Sequence, residues 1–336
     1  MTDRLRIGAC LSLSGKFARF GRQAAAGLEA WRSLTGVADL IIEDDDSDRE
    51  RLAAALPDVA RRCDLLLGPY STVLMRTAGR MAAENDWLIW NQGGTGDDVE
   101  TAHPGHVVSV LTPASRYAEP FLRLIADERR HLVIVRGTGS FGRQVADGAM
   151  AMAAQLGIRA TCVTPDDTLA YKEGWDLFSA GVFEDDVGLV TRARGLARPP
   201  GRICAVAAGV GEFSQVVNDP DGIFGIAQWF PGSGDQVETG PSESSFLDAC
   251  TQMIGTQPDY PAAQAAAGAA LAIRCAELAA STGRGELWDA AVSLETTTLF
   301  GAFGIDRRNG TQVKHATLLV RWERGKLVRA MPAPAQ

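Results

Sequence analysis

The sequence predicts an α/β fold of two doubly wound parallel-sheet lobes, with an interlobe cleft and multiple crossovers. Three observations carry this expectation. Short apolar runs alternate with helix-period segments almost from the start, the pattern of parallel sheets covered on both faces. The apolar runs stop at turn signals such as Gly68-Pro69 and Asn91-Gln92-Gly93-Gly94. After a pause at Asp97 to Pro104 a second such series begins, and 336 residues suit two domains better than one.

Each element follows from its local pattern. Arg4 to Leu13 is apolar and β-like, and Gly21 to Leu34 has apolar or small residues at helical spacing. Ala38 to Ile42 is the next strand. It runs into Glu43-Asp44-Asp45-Asp46-Ser47-Asp48, read as a solvated turn that caps a helix over Arg49 to Arg62. Asp64 to Leu67, Trp87 to Trp90 and Val107 to Leu111 are strands, with a helix over Thr72 to Glu84. The second series opens with a helix from Tyr117 to Asp127. A strand at Leu132 to Val135 and a helix from Gly142 to Leu156 follow. Ala160 to Val163, Ile203 to Ala207 and Ile223 to Gln228 are strands, with a less regular segment between the first two. Residues 231–243 are loop by composition. Helices follow at Ser245 to Ile254, Pro261 to Ala280 and Leu287 to Val292. The tail reads as strands at Thr298 to Gly304, His315 to Trp322 and Lys326 to Met331, with a hairpin turn at Glu323-Arg324-Gly325. Ligands are expected where strand C-termini face one another.

Composition removes several classes. Apolar content of 46% and charged content of 22% are those of a chain able to bury large cores. A net charge of −8 without a long basic run argues against nucleic acid. No run of about 18 apolar residues argues for membrane insertion. Met1-Thr2-Asp3 leads straight into the first strand, so the expected address is periplasmic if a leader has been removed and cytoplasmic if Met1 is the native start. The six cysteines form no Cys-x-x-Cys and read as buried free thiols. The four histidines show no metal spacing, so no metal is expected.

Two motifs hold chemistry. Gly137, Gly139 and Gly142 form a G-x-G-x-x-G between a strand and a helix, with Asp166 and Asp167 about one βαβ unit on. That is the context of a dinucleotide site, so an NAD-linked dehydrogenase is one reading of this turn. A plain strand–turn–helix, or a turn that offers Phe141 to a cleft, is the other. Gly68-Pro69-Tyr70-Ser71-Thr72 opens a helix and Trp90-Asn91-Gln92-Gly93-Gly94-Thr95 closes the next strand. Free N–H groups and hydroxyls there suit a carboxylate or amide oxygen, or serve as a helix cap. There is no Walker loop and no G-x-S-x-G elbow, and no nucleophile, base and orienter stand together.

The ordered set of blocks resembles the type I periplasmic binding proteins, the Leu/Ile/Val-binding class of ABC-transporter receptors. The blocks are RIGACLSLSGKFARFGRQAAAGLEAW, IIEDDDSD, LLLGPYSTVLMRTAGRMAAENDWLIWNQGG, VLTPASRY, VIVRGTGSFGRQVADG, AQWFP, DYPAAQAAAGAALAIRCAE, LFGAFGIDRRNG and LLVRWERGKLV. The resemblance implies an N-terminal lobe of residues 1–116 plus 246–316 and a C-terminal lobe of 117–245 plus 317–336. It implies a ligand held by Tyr70, Ser71, Thr72, Gly93, Gly94 and Thr95 through backbone N–H and hydroxyl groups. Phe20 and Tyr260 match cleft aromatics, and the second lobe would offer Phe141, Gln228 and Trp229. The family holds an α-ammonium with an acid near the place of Gln228-Trp229, and Glu212 and Asp219 do not align cleanly with it. An amide, a neutral molecule or an aromatic acid is therefore expected beside an amino-acid-like ligand.

The expected function is a solute receptor of an ABC uptake system that closes by a hinge on a small molecule. It would have no enzymatic activity and no cofactor, and its partner would be an ABC permease. Two alternatives stay open: a cytoplasmic amide-type sensor with a regulator as partner, and the dehydrogenase built on the Gly137 turn.

Overall fold

The structure, a computed structural model, describes residues 4–128, 130–167, 169, 174–232 and 236–330. The chain folds as two compact units, Met1–Thr112 with Pro231–Ala316 and Pro113–Phe230 with Thr317–Gln336. These boundaries differ from the expected ones at residues 113–116 and 231–245. Ala114–Arg116 forms a short 3-10 turn on the helix that follows the Gly137 turn. A Cβ added at Gly148 of that helix would lie 2.0 Å from the Ser115 carbonyl oxygen. Glu238 and Thr239 donate their N–H groups to the Thr297 carbonyl at 2.8 and 3.0 Å, which holds them in unit 1.

In chain order, the elements of the first pass through unit 1 are β1 (Leu5–Leu11), α1 (Ala18–Thr35), β2 (Ala38–Asp44), α2 (Arg49–Arg62), β3 (Leu65–Leu67), α3 (Thr72–Glu84), β4 (Ile89–Asn91), α4 (Asp98–Thr101) and β5 (Val107–Ser109). Unit 2 follows with α5 (Glu119–Ile125), β6 (His131–Arg136), α6 (Gly139–Gln155), β7 (Ala160–Val163), β8 (Trp175–Ala180), α7 (Phe183–Arg194), β9 (Ile203–Ala205), α8 (Phe213–Val216) and β10 (Phe224–Ala227). The chain returns to unit 1 for α9 (Glu243–Ile254), α10 (Tyr260–Ala279), α11 (Arg284–Ser293), β11 (Thr296–Thr298) and β12 (Gly301–Phe303). It ends in unit 2 with β13 (Leu318–Glu323) and β14 (Lys326–Arg329). Of the expected segments, residues 168, 170–173 and 233–235 and Met331 lie outside the described residues.

Unit 1 holds a five-stranded parallel sheet in the order β2-β1-β3-β4-β5. Helices α1 and α10 pack together, and α10 is buried along most of its length by small residues from Ala262 to Ala272. Unit 2 holds a seven-stranded sheet, β14-β13-β10-β9-β8-β6-β7, parallel except for the antiparallel β13 and β14. The β13–β14 loop is Arg324-Gly325, both at positive φ (52° and 71°). That is the two-residue hairpin geometry matched to strand twist.

Three expectations change. The irregular segment before Ile203 contains β8 and α7. Thr298 to Gly304 is two strands, β11 and β12, paired around Leu299-Phe300. The acidic run is not solvated throughout. Asp48 caps α2, accepting from the Glu50 and Arg51 N–H groups at 2.9 Å. Asp45, by contrast, is fully buried and takes the Ser12 hydroxyl at 2.7 Å, and its burial pushes the carboxyl up. The run ties the end of β2 to the end of β1.

Candidate functional site

In unit 1 the turns after β3 and β4 are neighbours because their strands pair in parallel, Leu67 beside Trp90. The Ser71 N–H donates to the Gly93 carbonyl at 2.9 Å. A Cβ at Gly93 would lie 2.5 Å from the Pro69 oxygen, so only glycine admits this approach. Ser71 sits at φ +87°, a strained backbone for serine, and its hydroxyl accepts from the Leu74 N–H at 3.3 Å as the α3 cap. Thr72 Oγ1 accepts from the Gly96 N–H at 3.0 Å.

The sequence leaves the Gly93 and Gly94 N–H groups free for a ligand. The structure gives both to Asn91, whose Oδ1 accepts them at 3.2 and 2.8 Å. The short asparagine side chain folds back over its own turn, as this residue type does. Thr95, half-buried, keeps its N–H and hydroxyl without partners among the described residues. The groups on offer are therefore the hydroxyls of Ser71, Thr72 and Thr95 and the Thr95 N–H, over a turn shaped by glycine. Beneath it, Glu100 accepts from Asn91 Nδ2 at 2.8 Å and bonds Ser109. Burial pushes the Glu100 carboxyl up to about 7, against the lowering effect of these bonds.

Three expected aromatics of unit 1 come together. Phe20 stacks on Tyr70 with ring centres 4.5 Å apart and planes at 13°. The Tyr70 and Tyr260 hydroxyls are hydrogen bonded, and Phe20 lies 6.4 Å from the Tyr260 ring. Asp259 holds Tyr260 at the start of α10 by accepting its N–H at 2.7 Å. The Arg19 guanidinium lies over Phe20 at 4.5 Å.

In unit 2 the turn between β6 and α6 carries the three glycines. A Cβ at Gly137 would lie 2.4 Å from the Gly181 Cα, and one at Gly142 would lie 2.6 Å from the Ala180 oxygen. Gly137 and Gly142 therefore serve close packing on the end of β8, while Gly139, with open space around it, supplies a positive φ of 79° to the turn. Asp185 accepts the Thr138 N–H at 3.0 Å and its hydroxyl at 2.7 Å. A carboxylate thus occupies the Thr138 donors at this turn. Phe141 meets Tyr117 edge-on with centres 5.5 Å apart, and Gln228 Nε2 donates to the Tyr117 hydroxyl at 2.9 Å. Gln228 and Trp229 are both buried. Asp219 precedes β10 and pairs with Arg194 at 3.3 Å, at the opposite end of the strand from Gln228. Glu212 follows the turn that leaves the C-terminal end of β9, at the same end as Gln228.

Asn91, Glu100 and Tyr117 were missed as candidate site residues in the sequence: Tyr117 acts through Gln228, 111 residues away, while Asn91 and Glu100 act on the 93–95 turn from buried positions that the sequence pattern does not mark. Among the described residues no group of His, Cys, Asp and Glu could hold a metal, and no helix is long and apolar enough to cross a membrane.

Doubly wound units with polar and aromatic turns at their strand ends are the architecture of small-molecule receptors. A family model described as periplasmic binding protein matches residues 4–171, half of the 336-residue chain. The chain belongs to the periplasmic binding protein family. No curated protein matches it in sequence. In structure it is similar to a leucine binding protein from Thermotoga maritima, with 14% identity, TM-score 0.79 and coverage of 97% of this chain and 98% of that one. It is similar to an ABC transporter substrate-binding protein from Desulfitobacterium hafniense in complex with Leu (16% identity, TM-score 0.80, coverage 98% and 100%). It is also similar to an ABC transporter solute-binding protein from Rhodopseudomonas palustris BisB5 in complex with 3,4-dihydroxybenzoic acid (12% identity, TM-score 0.79, coverage 97% and 95%).

Proposed function

We propose that the protein is the solute-binding component of an ABC-type uptake system and takes an aromatic carboxylate or an amide-bearing ligand by closure of its two units. The hydroxyls of Ser71, Thr72 and Thr95 hold the acidic or amide end, over the turn shaped by Gly93 and Gly94. Phe20, Tyr70 and Tyr260 wall the ligand from unit 1. Phe141, Gln228 and Trp229 complete it from unit 2. On this reading the address is periplasmic, the partner is a permease, and the protein performs no chemistry on its ligand.

The observation that carries the ligand class is Gln228. It is a neutral amide, held by the Tyr117 hydroxyl, where the likeness to amino-acid receptors calls for an acid. A buried ammonium without a carboxylate partner costs several kcal/mol. Asp219 is committed to Arg194 at the other end of the strand. The related structures include both leucine and dihydroxybenzoate complexes, so the fold accommodates either chemistry.

A thermal-shift panel followed by calorimetry tests this, with benzoate, 3,4-dihydroxybenzoate, benzamide, leucine, isoleucine and valine. A ligand at about 100 times its Kd adds about 2.7 kcal/mol, enough for a clear shift. The expected result is a response to an aromatic acid or amide and none to the aliphatic amino acids. Micromolar leucine binding, with its ammonium on Glu212 in a crystal structure, overturns the ligand class.

A further inference from the structure

Asn91 ends β4, and the parallel register sets it beside Ser109 at the end of β5. Glu100, on the single turn α4, reaches the same point. All three side chains are buried. Asn91 Nδ2 lies 2.6 Å from the Gly94 carbonyl, 2.8 Å from Glu100 Oε1 and 3.1 Å from Ser109 Oγ. An amide nitrogen carries two protons, so three acceptors compete for them. An ionised carboxylate is the strongest of the three. It fixes which way the amide faces, and that orientation leaves Oδ1 aimed at the Gly93 and Gly94 N–H groups.

A protonated Glu100 changes the accounting. It becomes a donor at one oxygen. The Asn91 amide can then turn over and accept from it, which sets amide protons against the two glycine N–H groups and the amide oxygen against the Gly94 carbonyl, so the turn shifts and the N–H groups are released. We infer that Glu100, acting through Asn91, is a positioning residue of the 93–95 turn, and that this turn takes two shapes according to whether Glu100 carries its proton. The functional weight of the inference rests on the reading of that turn as ligand-binding.

The surroundings permit this titration near neutrality. Burial pushes Glu100 up to about 7, and Asp97 adds a like charge. From α3, Arg76 is held by Asp98 and Arg80 by Glu84. His103 follows α4, and its pKa is lowered by burial and by His106 and Arg80. From β4 and β5 come the neutral Asn91 and Ser109.

The test uses the full chain without ligand, so its outcome is independent of the ligand panel. The amide resonances of Gly93, Gly94 and Thr95 are followed from about pH 5.5 to about pH 8.5, spanning a carboxyl raised to neutrality. In the wild type all three move with one midpoint near 7. In Glu100→Gln they hold their acid-limit positions throughout, while the Gly181 amide of unit 2 behaves as in the wild type. Amides that do not titrate, or that titrate unchanged in Glu100→Gln, overturn the inference. Should that variant fail to fold, Ser109→Ala removes a bond that lowers Glu100, so the common midpoint must rise. A midpoint that stays or falls overturns it equally.

Discussion

Replacing Asp186 by alanine takes an acceptor from three donors at once. Its Oδ1 receives the Ser179 hydroxyl at 2.5 Å and the Gly181 N–H at 2.8 Å, and its Oδ2 receives the Ala207 N–H at 2.7 Å. The side chain is fully buried. The Ser179 hydroxyl can rotate to another acceptor, but the two backbone groups cannot. Each buried donor left unsatisfied costs about 1–3 kcal/mol, so Asp186→Ala should cost unit 2 roughly 2–6 kcal/mol. Asp186→Asn keeps one carbonyl oxygen and should cost about half as much. Burial raises the Asp186 carboxyl to about 7. Its ordinary value is 3.8, so relief of that buried group offsets a growing part of the loss as pH rises from about 4 to about 7, and the measurement belongs near pH 4. Urea unfolding is read by hydrogen exchange on β6 and β8, with α3 as the control in unit 1. A cost below about 1 kcal/mol for the alanine variant would refute the accounting of these donors.

Three further outcomes are expected. Thr95→Ala should weaken any ligand found by the panel by about 0.5–1.5 kcal/mol, or about 1.5–3 if the ligand group is charged, and unchanged affinity by calorimetry removes Thr95 from the site. Glu100 ionises near 4.5 when unfolded and near 7 in the fold, so the fold holds the extra proton between those values. Its contribution is fullest below the lower value and is lost as pH rises through the upper one, by about 3 kcal/mol at most; denaturation at a series of pH values should show the slope, and Glu100→Gln should flatten it. Titration with NADH should leave its fluorescence unchanged, because Asp185 already takes the Thr138 donors; saturable enhancement would restore the dinucleotide reading.

The alternation of elements was legible because each short strand is a continuous apolar run and each helix shows its period. The exceptions have physical causes. Trp175–Ala180 is buried at all six residues yet contains Asp176, a charge that pattern alone argues against in a strand. Arg130 and Arg202 make it tolerable, 3.7 and 3.6 Å away, from distant parts of the chain. Leu299-Phe300 joins β11 to β12 with two apolar residues where a turn usually shows polar ones. The grouping of Phe20, Tyr70 and Tyr260 was reachable through the family likeness. The Asn91–Glu100–Ser109 network was not, because it exists only once β4 and β5 pair in register.

The division of the chain also orders its synthesis. Unit 1 draws its last residues from the stretch ending at Ala316, and unit 2 needs β13, which pairs with β10. As the chain leaves the ribosome, α1 waits for α10, more than two hundred residues later, before its packed face is covered. Neither core is complete on a nascent chain until α10 and β13 have emerged. Until then the growing polypeptide exposes incomplete cores, a state that chaperones can bind.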